Sequence, residues 1–352
     1  MIKGESKVKR KHLLLVSLVL ALAMFVSACS NGNQASGGES TTPAEATTGE
    51  VKVLKLGHQA PAGTAYDDLA TTFKKYIEER TDGRYEVDVY NGGQLGGDRE
   101  LMEALQVGNV EFNILTASDM GMFAPEMEVQ DLPYLFDDWD QVFKFLESDA
   151  SIDFYALSDE AGIKTLSFMP RGFRHVTNNA GPINTPDDIA GKKMRVAESA
   201  IYVDTFEAFG ANALALAWGE VFTALQQGTV DGHENTIVTI KDYKIEEVQD
   251  YLSKTGHMFG FAAITVNPAF FEALSPEDQE IFQNAAIDAA VDVGAIQQEN
   301  EVKASNELEA AGMQFNEVDK EAFKALVQPV YDKYFETHDK QYFDAIKAAV
   351  AE

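Results

Sequence analysis

Between residues 51 and 230 the sequence switches repeatedly between a strand period and a helix period, and that alternation restricts the fold more than any other feature. Val51 to Leu56 is rich in branched apolar residues and reads as a strand. Leu69, Phe73 and Ile77 then recur four apart within Tyr66 to Arg80, which marks one face of a helix, and Gly83 follows as a stop. Tyr85, Val87 and Val89 alternate as a second strand. Gly92-Gly93 makes a turn, Asp98 to Val107 reads as a helix on Leu101 and Leu105, and Val110 to Leu115 is a third strand. Strands that are each followed by a helix imply a mostly parallel sheet covered by helices.

The pattern returns further on. Thr185-Pro186-Asp187-Asp188 is a helix start, with Pro in the first turn and acids at the positive end of the dipole, and Gly191 ends it. Lys193 to Val196 is the next strand, and Gly219 to Gln227 is a helix stopped by Gly228 that leads into Thr229-Val230. From Ser275-Pro276 onward the chain is mainly helical until Gly312, which suits a long helix laid across two lobes. The roughly three hundred residues of this part exceed what one core usually serves, so two lobes are expected.

The first fifty residues are of another kind. Lys3, Lys7, Lys9, Arg10 and Lys11 precede an apolar run from Leu13 to Val26, too short to span a bilayer comfortably but suited to a secretory signal. The run closes on Val26-Ser27-Ala28-Cys29, which resembles a bacterial lipobox and holds the only cysteine of the chain. Residues 1–28 are therefore expected to be a lipoprotein signal peptide and Cys29 the lipidated residue that anchors the protein to the outer face of the cell membrane. A cleaved signal with an incidental cysteine, or a buried thiol, is the alternative. Residues 29–50 are small and polar without apolar periodicity and read as a flexible tether.

Removing the signal takes away five basic groups and one acid, which leaves 23 basic residues against 56 acidic ones, a net charge of −33. Nucleic acid is disfavoured as a partner, and any anionic ligand needs local cations. The sequence has no Gly-x-Gly-x-x-Gly, no phosphate-loop Gly-Lys-Ser/Thr and no Gly-x-Ser-x-Gly, so nucleotide binding and hydrolase chemistry lack their usual signatures. The six histidines never fall three to five apart, so no cofactor or local zinc site is expected, although ligands from distant segments remain open.

Three segments combine basic or amide side chains with strand ends, where open α/β sheets bind ligands. They are Arg171-Gly172-Phe173-Arg174-His175, Lys192-Lys193-Met194-Arg195-Val196 and Asp231-Gly232-His233-Glu234-Asn235. An Arg guanidinium matches a carboxylate with two parallel charge-assisted hydrogen bonds and stays charged when desolvated. The alternative is that Arg174 and Arg195 are surface charges or partners for the abundant acids.

Taken together, the runs Gly191 to Val196, Trp218 to Gly228 and Val230 to Asn235 resemble substrate-binding proteins of TRAP transporters, the DctP family. Gly93 to Asp98, Asp131-Leu132-Pro133-Tyr134-Leu135-Phe136 and Glu247-Val248-Gln249 add to the likeness, which covers residues 51 to 352 in order. It implies a two-lobed α/β fold like that of type II periplasmic binding proteins, with a ligand cleft between the lobes and a long C-terminal helix spanning both. The lobes are expected at 51–171 plus 261–300 and at 172–260 plus 301–352. The implied function is to capture a small organic acid and deliver it to integral-membrane permease subunits, with no catalysis.

By the same resemblance Arg195 is the main carboxylate clamp, Arg174 a second cation at the pocket, Asn235 an amide on the ligand carboxylate, and Trp218 a pocket aromatic or a core residue. Gln59 and Thr116, at strand ends of the first lobe, are weaker candidates. Asp231 and Glu234 read as hydrogen-bonding groups at a turn and hinge, the rival being an acid and base pair of a lipid-anchored hydrolase. Many relatives read Arg-Val-Pro where this chain has Arg195-Val196-Ala197-Glu198, and Asp-Gly-Gln-Glu-Asn-Pro is replaced by Asp231 to Thr236. A pocket-facing Glu198 accepts hydrogen bonds from hydroxyls and repels a second carboxylate, which favours a uronate or another sugar acid over a C4-dicarboxylate. A ligand-binding sensor subunit would look the same in sequence.

Overall fold

A computed structural model describes residues 50–351; the residues expected to form a signal peptide and most of a tether, Cys29 among them, lie outside the described residues. The strands are β1 (Lys52–Gly57), β2 (Tyr85–Tyr90), β3 (Phe112–Thr116), β4 (Lys164–Asn178), β5 (Lys193–Val196), β6 (Asn212–Ala215), β7 (Gly232–Thr236), β8 (Tyr251–Lys254), β9 (Phe259–Val266) and β10 (Gln314–Glu317). They pair in the order β2-β1-β3-β9-β4-β7-β5-β6, with β8 on β4 and β10 on β8.

The molecule is two-lobed, and β4 belongs to both lobes. From Lys164 to Phe173 it pairs antiparallel with β9, in the sheet that also holds β1, β2 and β3. From Arg174 to Asn178 it pairs antiparallel with β7, in the sheet of β5 and β6, while its last residues also meet β8. The β1, β2 and β3 pairings and the β5, β6 and β7 pairings are parallel, as the alternation implies. The sheets are nevertheless mixed, because β4 and β9 carry no helix-linked signature: both are almost wholly buried, so their sequences lack the in-and-out alternation that betrays a half-buried strand.

The register of β4 shifts between Pro170 and Gly172, which leaves Arg171 as the extra residue of a bulge. Gly172 sits at φ +120°, a conformation that a side chain rarely tolerates. Beneath the bulge lies helix Pro276–Ala295, whose Ala285, Ala286, Ala289 and Ala290 are buried. These small residues let the helix axis approach the sheet; a Cβ on Gly294 would lie 2.7 Å from Pro170 Cδ. The N-terminal half of this long helical segment packs on helix Ala65–Arg80 and β4. After a break at Ile296, helix Gln297–Ala311 packs on helix Ile237–Asp242 of the other lobe. The last helix, Gln341–Ala351, lies against helices Trp139–Glu147 and Asp149–Tyr155.

One apolar cluster fills the first lobe around Phe73, Phe112 and Phe282, which stack edge to face or face to face at 5.2 to 5.7 Å. A second, built on Phe136, Phe145, Phe259 and Phe261, runs on through Met194, Val196 and Phe206. A third, smaller cluster holds Leu225, Ile240, Leu252 and Leu308. The second cluster includes Leu115 of β3 as well as Met194 of β5, so the two lobes share apolar packing as well as the strand β4.

Candidate ligand-binding site

The first sheet ends at Thr116 and at Gln59 just past β1, and the second ends at Arg195 and Asn235; all four turn toward one chamber in the cleft. Arg171, Arg174 and Trp218 line it too, with Tyr66, Asp119, Thr239 and Tyr243. The chamber is small, about 30 Å³. It adjoins an outer cavity of about 550 Å³, and Gln59, Asp119, Trp218 and Tyr243 border both.

The three guanidinia are held in three different ways. Arg174, 2% exposed, is spent on Glu234: Nε donates to Oε2 at 2.5 Å and Nη2 to Oε1 at 2.8 Å. Register explains the meeting, since Arg174 pairs with Thr236 and Glu234 lies two residues away on the same face of the antiparallel ladder. Burial works against the charge of Arg174, but the Glu234 carboxylate more than reverses it and holds the guanidinium above its usual range. Burial likewise pushes Glu234 up, and Arg174 with His257 overcomes it, bringing the carboxyl down to about 2.

Arg195 is 4% exposed and has no such partner among the described residues. Its Nε and Nη2 both donate to the carbonyl of Leu216, at 2.9 and 2.6 Å, and its guanidinium lies over the Trp218 ring at 5.4 Å. Burial brings its pKa down to about 10, still far above neutral, so it is a desolvated charge met by a carbonyl dipole and an aromatic face. Arg171, 5% exposed, donates from Nη2 to Thr239 Oγ1 at 2.6 Å and lies over the Tyr66 ring at 4.8 Å.

On the acid side, burial and then Asp119 push Asp98 well above the carboxylate range, and burial raises Asp119 as well. Burial and the neighbouring acid thus both work against ionisation of Asp98. Asp98 and Asp119 border the outer cavity, with Arg99, Glu100 and Glu198. Gly92, Gly93, Gly96 and Gly97 form part of its wall, where the turn before helix Asp98–Gln106 leaves backbone exposed to the space.

Of the residues expected from sequence, Arg195, Arg174, Asn235, Trp218, Gln59 and Thr116 converge on the inner chamber. Glu198 does not; it borders only the outer cavity, where Arg99 of the opposite lobe stands 3.8 Å away. Partial neutralisation by Arg99 weakens its repulsion of a second ligand carboxylate, while its acceptor capacity for hydroxyls remains. Trp218 packs edge-on against Tyr243 at 4.8 Å and also faces the chamber, so it serves core and pocket at once. Asp231 accepts a hydrogen bond from the Lys193 backbone at 2.8 Å and Glu234 is committed to Arg174, which leaves neither free for acid and base work.

Sequence reasoning missed Arg171, Asp119, Asp98, Tyr66 and Tyr243. Arg171 stood in a segment already singled out, but three residues from Arg174 it belongs on the opposite face of an unbroken strand, and only the bulge turns both into one chamber. Among the described residues no cluster of three or more His, Cys, Asp and Glu side chains is placed to hold a metal ion.

Residues 56–338 match the family described as bacterial extracellular solute-binding protein, family 7, or DctP. The chain is 34% identical over 233 residues to the C4-dicarboxylate-binding protein DctB of Bacillus subtilis, covering 66% of this chain and 67% of that one. Among solved structures it resembles a TRAP periplasmic solute-binding protein of a Polaromonas species bound to D-erythronate, with TM-score 0.81 and 34% identity over 84% of this chain and 98% of that one. A TRAP solute-binding protein of Chromohalobacter salexigens with bound D-glucuronate gives TM-score 0.81 and 30% identity over 84% and 99% of the two chains.

Proposed function

The chain belongs to the bacterial extracellular solute-binding protein family 7, the DctP family, and on that premise we propose that it captures a hydroxylated monocarboxylate outside the cytoplasm and presents it to the integral-membrane subunits of a TRAP transporter. Members of this family bind and hand over substrates rather than transform them. One observation carries the ligand assignment: Arg195 is buried, bonded only to the Leu216 carbonyl, and borders a chamber open to a larger cavity. A guanidinium in that position is an anion site, because its desolvation is costly until a carboxylate repays it.

The arrangement of charge favours a single carboxylate. Of the three guanidinia at the chamber only Arg174 is paired with a carboxylate, Glu234, while Asp119 at the chamber and Glu198 beyond it oppose a second anionic group on the ligand. The carboxylate enters the inner chamber against Arg195 and Asn235, with Arg174 beside it and Thr116 and Gln59 at the rim. The rest of the molecule lies in the outer cavity, where Gln59, Asp119, Glu100 and Glu198 accept hydrogen bonds from hydroxyls. D-Erythronate and D-glucuronate, the ligands of the two structural relatives, fit this description; a C4-dicarboxylate would bring a second charge toward Asp119 and Glu198.

We take the lobes to divide within β4 between Phe173 and Arg174, where its pairing passes from β9 to β7, with the last helix lying back on the first. The ligand favours closure only as far as it binds the closed form better than the open one. Upstream, Cys29 carries the lipid that keeps the protein at the cell membrane, and the residues up to 50 let it reach the permease.

A thermal-shift screen of the chain begun after Cys29 tests the ligand class, against aldonates, uronates, 2-keto acids and C4-dicarboxylates. Ligand at a hundred times its dissociation constant stabilises by about 2.7 kcal/mol, or about 4 °C for some 300 residues. A sugar acid should give that shift and succinate a smaller one; a panel without any shift removes the assignment.

A further inference from the structure

Arg171 lines the inner chamber and carries a donor that nothing else among the described residues uses. The side chain is 5% exposed, yet Nη1 has no hydrogen-bond partner among the described residues. Its Nη2 is fixed on Thr239 Oγ1, which itself adjoins Thr236 Oγ1 at 2.9 Å, and its plane is held over Tyr66. Those two anchors come from opposite lobes, helix Ile237–Asp242 and helix Ala65–Arg80. A guanidinium clamped on both sides at a bulge does not rotate to find another partner, and a buried donor without one costs the full desolvation of that group. Neutral partners alone also leave its charge uncompensated, unlike that of Arg174.

The size of the chamber decides what Nη1 can meet. Its volume of about 30 Å³ is room for about two water-sized groups, which suits the two oxygens of a carboxylate whose carbon leads back toward the outer cavity. With Arg195 and Asn235 on the carboxylate oxygens, the next ligand atom within reach is a substituent on the adjacent carbon. We propose that Arg171 is a specificity-determining residue whose Nη1 donates to an oxygen on the carbon next to the ligand carboxylate, selecting 2-hydroxy, 2-oxo and ring-oxygen acids over those unsubstituted there. This deepens the monocarboxylate assignment and rests on it. A ligand lacking that oxygen leaves the donor buried and unpaired, so the site rejects it by omission rather than by clash.

The test uses two matched pairs of acids that differ only in that oxygen: D-erythronate with 3,4-dihydroxybutanoate, and L-malate with succinate. Affinities are measured calorimetrically on the full chain purified in mild detergent. Wild-type protein should bind the oxygenated member of at least one pair about tenfold or more tighter. Arg171→Gln should collapse that preference by weakening the oxygenated member about tenfold or more beyond its partner, which also loses affinity because one positive charge leaves the chamber. Arg171→Lys, which keeps the charge but not the planar fork, should recover part of the ratio and guards against a folding defect in the first variant. A purely structural role would weaken both members of a pair equally, and that result overturns the proposal, as does an unchanged ratio. Wild-type protein that binds none of the four overturns it as well. A sugar acid that shifts the melting temperature in the screen then shows that the carboxylate site survives, whereas a blank screen shows that the site itself fails.

Discussion

The inner chamber and the outer cavity face the same cleft and differ in nearly every physical respect. The inner one is about 30 Å³, bordered by three buried guanidinia that Glu234, the Leu216 carbonyl, Thr239 and the rings of Trp218 and Tyr66 hold in place. The outer one is about 550 Å³, bordered mainly by glycines, the exposed Glu100 and the ion pair of Glu198 with Arg99 that water reaches, with buried Asp98 only at its inner edge. In the first, charge is expensive and its placement is fixed before any ligand arrives; in the second, charge is cheap and adjustable. The difference separates what every ligand of this site must have, an anionic head, from what distinguishes one ligand from another.

Four perturbations probe that division, beginning with the strongest. Arg174→Met strips Glu234 of its counter-ion and should cost about 3–5 kcal/mol of stability in urea titrations, because it leaves a buried carboxylate uncompensated. Adding Glu234→Gln should restore much of it. A loss below about 1 kcal/mol in the single variant would mean that water enters the inner chamber freely. Arg195→Met borders the same chamber but abandons no acid, so stability should hold or rise while ligand affinity falls by about 2–5 kcal/mol, about 30-fold or more. Comparable losses of stability in both variants would erase the distinction between a spent guanidinium and a free one.

The third concerns the strand that joins the two spaces. Burial raises Glu301, which lies beneath Gly172, from 4.5 to about 7. With the folded pKa above the unfolded one, the unfolded chain releases its proton first as pH rises, so this group's contribution to stability declines between about pH 4.5 and 7 and is constant beyond. Glu301→Gln should remove that decline and raise stability at pH 8 by about 1–2 kcal/mol, a fraction of the full shift because the side chain is partly exposed. Thermal melts at pH 5 and pH 8 check it. The smallest effect is expected outside: Glu198→Gln or Arg99→Ala should change affinity by less than about 1 kcal/mol, and added salt should shrink even that. A larger, salt-insensitive loss would make the outer ion pair part of the inner recognition.

Elements with a one-sided environment were legible in the sequence. The helix Ala65–Arg80 displays its buried Leu69, Phe73 and Ile77 at helical spacing, and β2 alternates because one of its faces is more exposed than the other. Arg195, Arg174 and Asn235 were legible for another reason, since they stand in motifs that recur as linear strings. The central strands were not. Phe259 to Val266 is buried at every position, so it has no polar beat to reveal it, and its antiparallel place between β3 and β4 interrupts what the alternation presents as a parallel sheet. Ion pairs between strands, such as Arg174 with Glu234 sixty residues later, follow from register, which no local string encodes. Arg171 needed knowledge of a single inserted residue.

Because β4 runs unbroken from one sheet into the other, the two halves share a backbone rather than a flexible connector. Loss of one sheet tears hydrogen bonds from the strand that the other depends on, so heating should produce one calorimetric peak with matching van't Hoff and calorimetric enthalpies. Any opening of the cleft must then be accommodated by β4 together with the other crossings between the halves, the passage from β8 into β9 and the helical break at Ile296, which keeps the two halves in register through every cycle of uptake and release.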